Sequence, residues 1–447
     1  MNNRPPRADG NRQPYENSPT AAAKPRGGFA ISWPMFWLIL FRITRSIAGG
    51  MMIVAMPYLV LNTLHDSSLT LGILYVAGVM STAMLSLAAG HLCDRWSQKG
   101  TLLITGLMVP AGAMMVWANH SFPVLLAAAV VAGFAATGSL IGGGVGGVIQ
   151  PVQSAIIARI TTPENRTHHY SILPFFSGIA GAAGAMLVPI FSINESFLAA
   201  ALISLAGLIP VLQMRIPKPG VSPENATVTH RESRKAIMHF SITGALNGLS
   251  QGLLTPFLIP FFVTVYRMPK SNMAVYTAIG SALGAVALLT APALEKRLGF
   301  VQSVTFTRAL GTILLLVMAL WHNLPVGLLI YILTPALRIA ALPAQQTAMI
   351  NRVEGNSMGR ALAANQVTRL SATSGAMLCT GYLFDMSAIE APFMLYALVM
   401  GVNIYLYYRF FGRHGHMPAP RGQPVEATAD VDDRSRSVDT ENPNSPE

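Results

Sequence analysis

The sequence predicts an all-α polytopic membrane protein with twelve transmembrane helices, arranged in two pseudo-symmetric six-helix halves. Of the 447 residues, 52% are hydrophobic and only 11% are charged, whereas about a quarter of the residues in soluble domains are charged. Apolar runs of the ~20 residues that a transmembrane helix needs recur along the chain. The two halves also share a pattern of Pro, Gly and Gln. The 39 Gly and 30 Pro suit membrane helices, because neighbouring helices support their backbone.

Twelve apolar runs are candidates for spans, which are numbered here in chain order. Their approximate bounds are 35–61, 69–90, 101–118, 123–155, 170–191, 196–213, 238–264, 272–294, 302–321, 326–350, 361–384 and 390–411. Residues 33–213 are therefore expected to form the first half and residues 237–412 the second, joined by a polar linker at 214–236. The polar segments 1–32 and 413–447 predict disordered tails.

Positive charges lie almost entirely on one side of this topology. With the N-terminus inside, the Lys and Arg residues that lie outside the membrane interior fall in the inner loops and the tails, and the outer loops hold only Arg267 and Lys270. Cytoplasmic loops of membrane proteins are rich in Lys and Arg, so both termini are predicted to be cytoplasmic in an inner or plasma membrane. The same asymmetry explains the net charge of +11. No basic stripe with aromatic residues indicates nucleic-acid binding.

The two halves contain an internal repeat. Spans 1 and 7 align at one constant offset, with the pairs Thr44/Thr243, Gly49/Gly248, Pro57/Pro256, Tyr58/Phe257 and Leu59/Leu258. Spans 4 and 10 share Pro151/Pro343 and Gln153/Gln345 at another offset. Aligned Pro, Gly and Gln arise by chance less easily than aligned apolar residues. Two halves related by a parallel repeat are an architecture of secondary transporters.

The loop between spans 2 and 3, "GHLCDRWSQKG", is a charged island on the inner side. It matches the pattern G-x-L-x-D-R-x-G-R-K at Gly90, Leu92, Asp94, Arg95 and Lys99. A degenerate copy between spans 8 and 9 keeps Leu294, Arg297 and Gly299. Ser97 and Gln98 depart from the pattern, and Lys296 stands where the copy's aspartate would be.

This loop, the twelve spans and the half-repeat together resemble the major facilitator superfamily over residues 31–412. The resemblance implies a transporter whose two halves rock about a central site. It further implies that the charged loop is a latch, which contacts span 11 while the inner side is closed.

Four arginines are candidates for binding a substrate, because ionisable residues inside a membrane are costly. They are Arg42 and Arg45 in span 1, Arg338 in span 10 and Arg369 in span 11. The resemblance places these spans at or beside the central cavity. The polar residues Asn247, Gln251 and Thr255 recur at helical spacing in span 7, and Gln345 lies in span 10. Structural hydrogen bonding is the alternative, and Arg42 and Arg45 could also extend to the inner interface.

The groups that the spans lack narrow the function further. No Asp or Glu lies deep in any predicted span, which leaves the coupling ion open. The cationic cavity favours a small organic solute that is anionic or zwitterionic, carried by a secondary active or facilitative mechanism in a monomer. A multidrug exporter of amphiphiles and a non-transporting sensor or assembly factor are the alternatives. No metal-ligand cluster, cofactor motif or catalytic residue is visible, so no enzyme activity is predicted.

Overall fold

The computed structural model describes residues 33–133, 148–149, 152–153, 156–157, 163–214, 230–340 and 358–411. All regular elements in these ranges are helical. Nine helical segments of the described ranges are long and apolar enough to cross a membrane, and Phe122–Ala132 and Leu324–Ile339 are shorter apolar helices. The expected tails, 1–32 and 413–447, and residues 215–229 of the expected linker lie outside the described ranges.

The helices appear in the order of the predicted spans. Spans 1 to 6 correspond to Trp33–Tyr58, Ser68–Arg95, Gln98–Ala118, Phe122–Ala132 (the N-terminal part of span 4), Pro163–Leu187, and the pair Ile193–Ala206 and Leu208–Gln213. Spans 7 to 12 correspond to the pair His230–Leu254 and Leu258–Tyr266, then Lys270–Leu298, Phe300–Leu320, Leu324–Ala340, Met358–Asp385 and Ala391–Phe411. Span 7 thus begins at His230, within the stretch expected to be linker.

Serine side chains cap the N-terminal ends of two spans. The Ser67 hydroxyl accepts a hydrogen bond from the backbone N–H of Thr70 at 3.0 Å, which caps span 2. Ser192 and Glu195 form a reciprocal capping box at the start of span 6. These contacts satisfy N–H groups that have no partner within the helix.

The matched prolines of spans 1 and 7 interrupt both helices at the same place in the repeat. A π-helical turn, Leu59–Thr63, comes directly after Pro57 and Tyr58. Pro256 lies in a 3-10 turn, Thr255–Phe257. Proline has no N–H to donate, so the regular α-helical hydrogen-bond ladder cannot continue through it. The repeat seen in the sequence is therefore also present in the backbone.

Within each half, one pair of helices packs backbone against backbone. Span 1 contacts span 5, and span 7 contacts span 11. A methyl group added at Gly50 would overlap the carbonyl oxygen of Gly181, and one added at Gly248 would overlap that of Arg369. The Thr373 hydroxyl donates to the carbonyl oxygen of Gly248 at 2.9 Å. Close approach and hydrogen bonds hold helices together in lipid, where no hydrophobic effect does so.

The most extensive contacts between the two halves in the described residues are made by two pairs of helices. Span 2 packs against span 11, and span 5 packs against span 8. The candidate substrate residues lie on spans 1, 7, 10 and 11.

Candidate transport site

Arg338 and Thr255 come together in the second half. The Nη1 atom of Arg338, in span 10, donates to Oγ1 of Thr255 in span 7. Thr255 begins the 3-10 turn around Pro256, so the interruption of span 7 positions this hydroxyl. Both side chains are half-buried. The contact joins two of the helices that were predicted to line the cavity.

Arg369 is a second guanidinium group within electrostatic range of Arg338. Its Nη2 atom donates to Oε1 of Gln366, one turn earlier in span 11, at 2.9 Å. Arg369 lies close enough to Arg338 for the two charges to repel each other. Tyr396 of span 12, only 4% exposed, also lies within electrostatic range of Arg338. Sequence reasoning missed Tyr396, because an aromatic residue in an apolar helix gives no distinguishing signal.

The carboxylates that the structure describes lie away from these two arginines in the topology. The Asp and Glu side chains that the structure describes lie at loops or helix ends on the side predicted to be outer: Asp66, Glu195, Asp385 and Glu390. The ion pair found among the described residues is His322–Glu390, at 3.6 Å. Guanidinium groups stay protonated in proteins. The described part of this site is therefore positively charged and suited to an anionic group.

Asn247 and Gln251 continue the face of span 7 that carries Thr255. The three residues are spaced four apart, so they lie one above another on the helix, and each is half-buried. The predicted partner in span 10, Gln345, lies outside the described residues.

Arg42 lies inside the first half. Its Nε atom donates to the Ser177 hydroxyl at 3.2 Å, and its Nη1 atom donates to Oε1 of Gln153 at 3.0 Å. The hydroxyls of Ser46 and Ser177 are 2.6 Å apart. Arg42 is 8% exposed, so its side chain does not extend to a water interface. It links span 1 to spans 4 and 5.

Arg45 is directed toward span 3. Its Nη1 atom donates to the carbonyl oxygens of Thr105 and Gly106, each at 3.3 Å. Its guanidinium group lies 5.6 Å from the centre of the Phe41 ring. Backbone carbonyls thus satisfy part of its hydrogen-bonding capacity, and these contacts favour a structural role.

A further half-buried arginine, Arg308 of span 9, was counted in the sequence with the charges of the inner loops. Its Nη1 atom donates to Oδ1 of Asn403 at 2.6 Å, and its guanidinium group lies 5.0 Å from the centre of the Tyr407 ring. Asn403 in turn donates to the carbonyl oxygen of Thr243 at 2.9 Å. This chain of contacts joins spans 9, 12 and 7. The position of Arg308 inside an apolar run is the sequence feature from which its location within the membrane could have been predicted.

The helix of span 2 continues through the signature loop to Arg95. Leu92 is half-buried, whereas the burial of Gly90 and the side chains of Asp94 and Arg95 lie outside the described part, so the predicted latch is not tested. Lys99 donates from Nζ to the carbonyl oxygen of Leu212 at 2.5 Å, which ties the loop to the end of span 6.

Ser97, which departs from the signature pattern, and Gly299 of the degenerate copy have local structural roles. The Ser97 hydroxyl accepts from the N–H of Gly100 at 2.8 Å and caps span 3, where the pattern has a glycine. In the degenerate copy, Arg297 is exposed, and Gly299 has a φ of +76° just before span 9. Glycine adopts such a φ without the steric cost that other residues meet.

One family model matches most of the sequence. The sequence matches the family model of the Major Facilitator Superfamily over residues 38–376. Multidrug resistance protein 1 of Bacillus subtilis (strain 168) is 21% identical over 380 residues, which are 83% of this chain and 94% of that protein.

Solved structures share the fold at low sequence identity. A mutant of the nucleoside transporter NupG matches with a TM-score of 0.66 and 12% identity, covering 85% of this chain and 100% of that one. A bacterial homolog of the human lysosomal transporter Spinster, inward-facing and unoccupied, gives a TM-score of 0.65 and 15% identity over 87% of this chain and 98% of that one. The human organic anion transporter MFSD10 (TETRAN) gives a TM-score of 0.59 and 14% sequence identity, covering 84% of this chain and 99% of that one. The predicted fold class is confirmed.

Proposed function

The chain belongs to the major facilitator superfamily, and on that premise we propose that it is a secondary active or facilitative transporter of a small anionic or zwitterionic organic solute. The observation that carries the proposal is the pair Arg338 and Arg369, which have neutral hydrogen-bond partners and no carboxylate partner among the described residues. The protein is a multi-pass membrane protein. We further propose that it is a monomer in an inner or plasma membrane, with both termini cytoplasmic.

The arrangement of donors suits an oxyanion. A guanidinium group has five N–H donors in a planar fork, and the contacts among the described residues use one donor of Arg338 and one of Arg369. The remaining donors can bind a carboxylate or phosphate in a bidentate manner. A bound anion also reduces the repulsion between Arg338 and Arg369. Asn247 and Gln251 supply neutral polar contacts for the rest of the solute.

Movement of the solute would result from rocking of the halves. Backbone contact between spans 1 and 5, and between spans 7 and 11, favours each half moving as a unit. The relative motion then falls at the seams between spans 2 and 11 and between spans 5 and 8. The Asp94–Arg95 loop would hold the inner side closed in one of the two orientations.

The test compares ligand-induced thermal stabilisation and uptake into proteoliposomes for a panel of organic anions, zwitterions and lipophilic cations. Arg338→Ala is expected to lower anion affinity about 30-fold or more. The guanidinium group of Arg338 and the bound anion would form a charge pair away from water, and truncating one member of such a pair costs at least ~2 kcal/mol. Arg409→Ala, which removes an exposed arginine from the end of span 12, is the matched control and should bind as the wild type does. Anion binding that is unchanged in Arg338→Ala would contradict the proposal.

Efflux of amphiphilic drugs is the second candidate function. It is supported by the similarity to Multidrug resistance protein 1 of Bacillus subtilis. Two neighbouring arginines would repel a lipophilic cation, which is why an anion is favoured. Stabilisation by lipophilic cations alone, insensitive to Arg338→Ala, would establish the drug exporter instead. If no solute of the panel binds or is taken up, a non-transporting sensor or assembly factor becomes the better proposal.

A further inference from the structure

In the described part of the chain, three side chains form hydrogen bonds between the two halves at the outer side. The carboxylate of Asp385, at the end of span 11, accepts hydrogen bonds from the start of span 2. The Tyr58 hydroxyl donates to the carbonyl oxygen of Met268 at 2.6 Å. Lys270 donates from Nζ to the carbonyl oxygen of Phe191 at 2.5 Å. Each contact must break if the halves separate at this side.

The contact of Asp385 is the one that carries a negative charge. Its Oδ1 atom accepts from the backbone N–H of Ser68 at 2.7 Å, and its Oδ2 atom accepts from that of Leu69 at 3.0 Å. These N–H groups open span 2 and have no partner within their own helix. They also form the positive end of the helix dipole, which a carboxylate stabilises. Asp385 therefore binds the end of span 2 through charge and through two hydrogen bonds.

The backbones of spans 2 and 11 touch beside this carboxylate. A methyl group added at Gly381, one turn before Asp385, would lie 2.9 Å from the carbonyl oxygen of Ser68 and 3.1 Å from the Cα atom of Leu69. No side chain separates the two helices at this point. The outer end of the seam is therefore shut where Asp385 binds.

We propose that Asp385 is an outer latch of the transport cycle, which holds the N-terminus of span 2 while the outer side is closed and releases it when that side opens. The inference rests on the proposed transport function. Spans 2 and 11 run in opposite directions, and each carries an acidic residue at its C-terminal end, Asp94 and Asp385. Asp94 is the residue that the family resemblance assigns to the inner latch with span 11. One pair of helices would thus carry a latch at each end.

Two latches allow one contact to form while the other breaks during the change of orientation. Opening the outer side breaks the contact of Asp385, while closing the inner side forms the contact of Asp94. The two orientations then keep similar free energies, and a modest difference in solute affinity can shift the population. If Asp385 only capped a static helix, its replacement would change the stability of the protein without changing the distribution between the two orientations.

The test measures the distance between spin labels across the outer side by double electron–electron resonance, in nanodiscs without added solute. Labels are placed at Asn62→Cys in the first half and Asn272→Cys in the second, both exposed, with Cys93 and Cys379 replaced by Ala. Asp385→Asn removes the charge and is expected to raise the population of the longer distance about tenfold, which corresponds to the strength of a hydrogen bond to a charged group.

Two further variants make the result decisive. Ser68→Pro removes one donor and leaves the charge of Asp385 in place, and proline is tolerated at the first position of a helix. It should also favour the longer distance. Glu390→Gln removes a charge from the same outer surface and should leave the distribution unchanged, because the described partner of Glu390 is His322.

Wild-type distance distributions in both Asp385→Asn and Ser68→Pro would overturn the latch. Because the distances are measured without solute, a shift in these variants supports the latch even if no anion is transported. Conversely, anion transport with unshifted distances would retain the proposed function and remove the latch alone.

Discussion

Replacing Gly248 by Ala is expected to separate spans 7 and 11. The added methyl group would lie 2.8 Å from the carbonyl carbon and 3.0 Å from the Cα atom of Arg369, and closer still to the carbonyl oxygen. Carbon atoms attract each other only near ~3.5 Å and beyond, so one helix must move. The neighbouring atoms belong to the backbone, and no rotation of a side chain can relieve the overlap.

Overpacking of this kind destabilises a folded protein by about 1–3 kcal/mol. The movement also stretches the 2.9 Å hydrogen bond from Thr373 to the carbonyl oxygen of Gly248. Arg369 is displaced with its backbone, away from Arg338. We therefore expect Gly248→Ala to lower the melting temperature in detergent and to raise the KM for a transported anion.

Gly375→Ala is the matched control, because Gly375 also lies inside a helix, in span 11, and has no neighbouring atom within 4 Å of an added methyl group. Alanine favours a helix over glycine by about 1 kcal/mol, so this variant should be as stable as the wild type or more stable. Equal melting temperatures for Gly248→Ala and Gly375→Ala would refute the close-packing argument.

Three other substitutions separate structural from functional roles. Asp94→Asn is expected to lower the rate of transport more than the level of expression, and normal turnover would remove the inner latch. Arg45→Met should lower the melting temperature, because two carbonyl groups of span 3 lose their donor, but should leave anion affinity unchanged in binding assays. Asn403→Leu leaves Arg308 and the carbonyl group of Thr243 without their buried partner; a loss of stability of about 1–3 kcal/mol is expected, measured by unfolding in denaturant.

The sequence predicted the helices and their order because lipid imposes one requirement on every spanning segment. Each span must satisfy its own backbone hydrogen bonds and present apolar side chains, and that requirement is visible in composition alone. The pairing of Pro57 with Pro256 also indicated the repeat, because proline changes the backbone wherever it stands. The start of span 7 was predicted less accurately. Residues His230 to Lys235 are polar, so they extend the helix without showing apolar periodicity.

The partners of the polar side chains could not be predicted, because they depend on helix rotation. Arg42 and Arg45 are three residues apart and looked equivalent in the sequence. In the structure, Arg42 contacts spans 4 and 5, whereas Arg45 contacts span 3. The contact of Arg338 with Thr255 joins residues 83 positions apart. Asp385 looked like an ordinary loop residue, because only the fold brings it to the start of span 2.

The tight packing within the second half has a thermodynamic consequence. A solute held only by Arg338, Arg369 and Thr255 would travel with that half and keep the same contacts in both orientations. A ligand with equal affinity for two states does not shift their ratio, however strongly it binds. Solute-driven turnover therefore requires at least one contact from the first half that exists in one orientation only. Binding strength and coupling strength are then set by different residues, so that mutations can abolish transport while leaving occupancy of the site intact.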